Sequence, residues 1–390
     1  MTTAELPRIL RKPGEPQVPA FLELFFDLVY IFMLSRLAVG LADDLSARNL
    51  LQTAVLLSAA WWVWVLTAWL TDIFDPRLAI IQATTLAVMF GALVMAIAVP
   101  HAFGAQGYLF VAAYFAIHVV RDAVLVPGTR VNRDVQARSA RVFFWFLVTA
   151  PLWVAGVFVD GTARLVFWAV AVAIDLGSAR LGWPTPRLGR TELASRVFTR
   201  EHLSERHRQI FVVALGELVL TAGTGLQARD FAGVVVATGA AGFGGAVLLF
   251  LLYLLRVRRL IGPDGGGPVD RVRPSIYTSY THLVMVSGVL LMSTGTTLAA
   301  DRPYNYSRVS WVLVIFGGPA LFLLGSCLFD HLVTGRFLWP RAIAIVVLVA
   351  IGPAMPLLSP LNVMLVANVV LLGTLGVELV GGRRRRAARR

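Results

Sequence analysis

Apolar runs of about 17–25 residues recur along this chain, each broken by charged or Pro/Gly-containing segments. One such run crosses a hydrocarbon core of roughly 30 Å as a helix, and lipid forces the segment to satisfy its own backbone hydrogen bonds. Twelve runs are readable. The first six are 21–41, 49–71, 78–99, 106–126, 141–159 and 163–180; the second six are 208–227, 231–255, 275–299, 308–329, 337–355 and 359–380. Arg341, Pro353 and Pro356 leave the eleventh short. Hydrophobic residues make up 57% of the 390 positions and charged ones 15%, against about 25% charged in soluble domains. The expected fold class is an all-α polytopic transmembrane bundle of about twelve helices. Secreted, disordered and ordinary cytosolic classes are excluded.

The basic residues orient the chain, because Lys and Arg are retained on the cytoplasmic side. With both termini inside, 29 of the 35 fall in cytoplasmic segments and five in the opposite loops, while Arg36 lies inside the first run. That split requires an even number of crossings. The predicted location is the bacterial inner membrane. The net charge of +13 is scattered over alternate loops and forms no interleaved aromatic–basic surface, so nucleic acid is not an expected partner. The tail RRRRAARR suits anionic lipid. The first 19 residues are polar with four prolines, and no small-residue cleavage site follows the first run, so no cleavable signal peptide is expected. Cys327, the single cysteine, excludes an intramolecular disulfide and cysteine-based zinc or iron–sulfur centres. Neither a metal nor a cofactor is expected.

The chain reads as a duplication. LSARNL (45–50) matches LQARDF (226–231), LAVMFGALVM (86–95) matches HLVMVSGVLL (282–291), and DLGSAR (175–180) matches ELVGGR (378–383), in preserved order. This divides the chain into a cytoplasmic segment 1–20, a six-helix repeat 21–181, a cytoplasmic linker 182–205, a second repeat 206–381 and a basic tail 382–390. Six crossings per half make the repeats parallel, an arrangement common among secondary transporters.

Charges inside apolar spans are functional candidates. Glu217 lies nine residues past Arg208, about 13 Å into the core at the helical rise. It is the midplane candidate for coupling or substrate binding; a buried structural pair or helix–helix hydrogen bond is the competing reading. Glu23 and Asp27 are four apart and share a helix face one to two turns from the inner boundary, which suits a proton-binding gate or interfacial pairing with basic loops. Arg36 can meet Glu217 or snorkel outward. His282, early in the ninth run, reads as a pH-sensitive group or a satisfied core residue. Trp64, in the tryptophan-rich second run with Trp61, Trp62 and Trp69, reads as a cavity contact or as packing. Asp175 and Glu378 each lie five residues before an arginine at the inner boundary, so interfacial ion pairing is expected for both, with Glu205 and Arg206 in the same inner polar cluster. No catalytic motif of the GxSxG, Walker, HExxH or CxxC kind is present, so no enzymatic role is expected, although a lipid-acting membrane enzyme stays open.

Four stretches, ELFFDLVYIFMLSRLA, WWVWVLTAWLTDIFDPR, VMFGALVMAIAVPHAFG and HLSERHRQIFVVALGELVL, resemble the bacterial low temperature requirement protein A family over nearly the whole chain. The resemblance implies an integral membrane protein of a family named for growth in the cold. The family's acidic opening maps onto Glu23 and Asp27. Its acidic-Arg start and Gly-Glu element map onto Glu205, Arg206, Gly216 and Glu217. Leu218 stands where the family often has serine, and Arg36 where it often has a neutral polar residue.

Two functional readings follow. The first is a secondary transporter or permease coupled to protons, carrying a small molecule or ion whose identity the sequence does not give. The alternative is a non-transporting membrane scaffold or sensor linked to cold growth.

Overall fold

The computed structural model describes residues 21–128, 133–191, 200–227, 233–261, 275–335 and 337–387. Among them are twelve long helices: α1 (Phe21–Asp43), α2 (Ala47–Ile73), α3 (Ala79–Ala98), α4 (Gly107–Gly128), α5 (Arg133–Val157), α6 (Gly161–Arg180), α7 (Arg200–Gln227), α8 (Gly233–Ile261), α9 (Ser275–Asp301), α10 (Val309–Thr334), α11 (Trp339–Ile351) and α12 (Pro360–Ala387). No strand occurs among the described residues. Eleven helical segments are long and apolar enough to cross a membrane. The twelfth helix, α7, is not among these eleven over the residues whose side chains are described, and its first nine residues read REHLSERHR. Helix α11 ends at Ile351 and passes into a 3-10 turn, Gly352–Leu357, where Pro353 and Pro356 remove backbone donors. Part of LQARDF, residues 192–199 of the expected linker, the first 20 residues and the side chains of the basic tail lie outside the described residues.

Packing divides the chain into two compact units that cut across the order of helices. One takes the chain to Arg36, Leu50–Ile210 and Pro274–Ser279; the other takes Leu37–Asn49, Phe211–Arg273 and Tyr280–Arg390.

In the first unit α3 packs along α4, α4 along α5 and α5 along α6. Helix α2 is its most enclosed element: from Ala59 to Asp72 every residue is buried, as expected of a helix apolar on all sides. That burial accounts for the tryptophans. Trp61 stacks on Trp64 with ring centroids 4.9 Å apart, and Trp62 meets Trp69 edge-on at 6.0 Å. Arg164, at the start of α6, is buried. Its Nη1 donates to the carbonyls of Ala102 and Gly104 and its Nε to those of Gly156 and Val159. One guanidinium thus satisfies carbonyls that two helix–helix turns leave open.

In the second unit α12 packs along α8, and α10, α11 and α12 pack on one another. Glycines set the approach of α9 to α10. A Cβ added at Gly288 would lie 2.6 Å from the Gly318 carbonyl oxygen and from the Phe322 nitrogen. Small residues are what allow such close backbone contact in membrane helices.

Candidate functional site

The charged head of α7 meets the acidic face of α1. Glu23 and Asp27 are one helical turn apart, as are His202 and Arg206, so each pair shares a face. The pairs match in register: His202 Nε2 lies 3.2 Å from Glu23 Oε2, and Arg206 donates from Nη1 and Nη2 to Asp27 Oδ2 and Oδ1, both at 2.8 Å. Both contacts join residues 179 apart, so the two helices run in the same direction here. All four side chains are buried.

Helix α2 closes the network. Trp64 Nε1 donates to Asp27 Oδ1 at 2.8 Å, while the Arg206 guanidinium stands 5.7 Å above the Trp64 ring. Asp72, at the far end of α2, lies 3.0 Å from His202 Nδ1. Arg206 Nε is 3.7 Å from Glu23 Oε1. His207 contacts the Ser279 hydroxyl through Nε2 at 3.0 Å, and Trp61 Nε1 donates to the Ser279 carbonyl, so α9 is tied to the same group. Burying an isolated charge costs several kcal/mol; here Arg206 and Asp27 are paired at close range and His202 stands between two acids.

Two small voids lie in this unit. One, about 10 Å³, is lined by residues including Trp62, His118, Phe146 and Asp175. The other, about 30 Å³, borders Trp69, Arg121, Asp122 and Arg138. Each has room for little more than water. Asp175 does not meet the arginine expected for it: its oxygens accept from Tyr114 and Thr149 hydroxyls at 3.1 Å, and Arg180 is exposed. Asp122 forms a buried pair with Arg121, whose Nη2 also meets His118 Nδ1.

Glu217 lies on the part of α7 that belongs to the second unit, and it is buried. Its Oε1 is 2.8 Å from Thr221 Oγ1 and 2.9 Å from Ser293 Oγ, and the two hydroxyls are 2.9 Å from each other. Oε2 is buried and has no hydrogen-bond partner among the described residues. In the same unit, Arg341 of α11 donates from Nε and Nη2 to the two oxygens of Glu378 on α12, at 2.7 and 3.2 Å, and from Nη2 to the Leu252 carbonyl. Arg341, the residue that makes the eleventh run poor, is thus a partner of Glu378, while the side chain of the arginine five residues on lies outside the described residues. His282 pairs with the Tyr253 hydroxyl at 3.1 Å.

The other sequence candidates separate. Glu205 is half-buried and pairs with Arg208, away from the Arg206–Asp27 fork. Arg36 is half-buried. Asp72 and His202 were not singled out from the sequence, though both fall within quoted motifs. The usable signal was the matched spacing: two acids four apart on one helix and two bases four apart on another. Among the described residues no group of three or more His, Cys, Asp or Glu side chains is arranged to hold a metal ion.

Long apolar helices and ion pairs sealed within them define a polytopic helical membrane protein. The family model for the bacterial low temperature requirement A protein (LtrA) matches residues 20–375. The chain belongs to the LtrA family. It is 28% identical over 371 residues to the "Uncharacterized protein RA0937" of Rhizobium meliloti (strain 1021), an alignment covering 93% of this chain and 90% of that one. No solved structure matches it.

Proposed function

We propose that this LtrA protein is a proton-linked secondary transporter or permease of the bacterial inner membrane, with both termini cytoplasmic, a small molecule or ion as substrate, and Glu217 as the carboxyl group that takes up and gives back the proton. One observation carries the reading. The Glu217–Thr221–Ser293 triangle has three oxygen–oxygen contacts of 2.8–2.9 Å, but the two hydroxyls supply only two protons. With an ionised carboxylate, one contact would press lone pairs together. A proton on Glu217 Oε1 completes a ring of three hydrogen bonds. It also makes the partnerless Oε2 a carbonyl oxygen, whose burial costs far less than that of a charged one. The arrangement suits a carboxyl that holds a proton in this state and yields it when the triangle opens.

In this reading Glu23 and Asp27 are inner gating acids. Their contacts with His202 and Arg206 close the gate, Trp64 supports Asp27, and Arg36 and His282 remain candidates for solute contact. The two six-helix segments act as parallel repeats.

The test uses purified protein in liposomes with an internal pH indicator, challenged with pools of small solutes under an acid-outside gradient. Solute-dependent proton entry is expected. Glu217→Gln should abolish it while leaving downhill solute flux. Solute-evoked proton entry that survives Glu217→Gln would end the coupling role.

A further inference from the structure

A histidine held between two carboxylates has a fixed demand for protons. His202 Nε2 lies 3.2 Å from Glu23 Oε2 and Nδ1 lies 3.0 Å from Asp72 Oδ1, with the ring fully buried. Ionised carboxylates only accept hydrogen bonds, and a neutral imidazole donates from one nitrogen and accepts at the other. With both acids ionised and the ring neutral, a nitrogen lone pair would face a carboxylate oxygen at hydrogen-bond distance. One added proton removes the conflict, whether it completes an imidazolium or sits on one acid and points at the ring.

The surrounding charges agree. Asp27 on α1 is matched by Arg206 on α7, which also approaches Glu23. Arg138 on α5 interacts with Asp72 and stands 5.0 Å over the Trp69 ring. The guanidiniums beside Glu23 and Asp72 suit two ionised acids, the state in which His202 donates to both only with the extra proton.

We propose that the Glu23–His202–Asp72 chain is a second proton-binding site, in which the bound proton ties the head of α7 to both α1 and α2. Removing that proton turns one tie into a repulsion and frees the first turns of α7. This site is in a different unit from Glu217, and the inference stands whether or not the protein moves a solute.

Isosteric amides separate the proton from the shape. In Asp72→Asn the amide N–H donates to a neutral His202 Nδ1 while Nε2–H still donates to Glu23, so both His202 hydrogen bonds survive without the extra proton. Glu23→Gln does the same from the other side. The experiment is hydrogen–deuterium exchange of the full chain in detergent micelles, corrected for the intrinsic base-catalysed rate, between about pH 6 and about pH 9. Wild-type protection over residues 200–206 should fall roughly tenfold or more as pH rises, the scale of one charge-assisted hydrogen bond. In Asp72→Asn and Glu23→Gln it should stay flat. If wild-type protection is independent of pH, or if both amide variants keep the wild-type dependence, the proposal is wrong.

Discussion

Arg206 grips Asp27 with both terminal guanidinium nitrogens, at 2.8 Å each, inside a network that buries both side chains. A planar fork on a carboxylate is the strongest form of this contact, and burial makes it a point of no compromise. Removing one partner strands the other.

Asp27→Ala should therefore destabilise the protein by about 3–5 kcal/mol, as expected when a buried charge loses its partner. Asp27→Leu combined with Arg206→Met should recover most of that loss, since apolar replacement of a whole buried pair is often neutral or favourable. Thermal unfolding in detergent checks both. A double variant no more stable than Asp27→Ala would show that the pair holds the fold through more than charge balance.

Arg341 and Glu378 offer a test of geometry apart from charge. Arg341→Lys keeps the cation but gives up the two-pronged contact with Glu378, and it weakens the reach to the Leu252 carbonyl. We expect a loss of roughly 1–3 kcal/mol, the range for a hydrogen bond to a charged group, read as a lower unfolding temperature. An unchanged temperature would mean that a point charge suffices there.

Gly288 and Gly373 are both helical glycines with opposite surroundings. A Cβ at Gly288 would meet the backbone of α10 at 2.6 Å, whereas one at Gly373 finds nothing within 4 Å. Gly288→Ala should cost about 1–3 kcal/mol through overpacking. Gly373→Ala should be neutral or gain up to about 1 kcal/mol from the better helix former. Equal effects at the two sites would argue against the close α9–α10 approach.

Glu217 carries a prediction that needs no substrate. Infrared spectra of the resting protein should contain the C=O stretch of a protonated carboxyl group assignable to Glu217, absent from Glu217→Gln. The variant should stay within about 1 kcal/mol of wild type, because a neutral amide can still bond both hydroxyls. Strong destabilisation together with an unchanged infrared band would indicate an ionised Glu217 instead.

Some of this was readable from the residues. The apolar runs located the helices because crossing lipid depends on local composition: about twenty apolar residues in a row leave the backbone no alternative. Glu23, Asp27 and Glu217 stood out for the same reason, as charges where charge is costly. Spacing placed Glu23 and Asp27 on one face but could not say what faced them.

Sequence by itself determined a polytopic helical chain and the acids its membrane segments must accommodate, because hydropathy and helical period are properties of neighbours in the chain. Tertiary structure alone decided that Asp27 is held by Arg206, 179 positions away, that His202 stands between Glu23 and Asp72, and that Glu378 takes Arg341 from the neighbouring helix. Pairing a buried charge depends on which helices meet and at what rotation, and that is settled by packing over the whole of each unit.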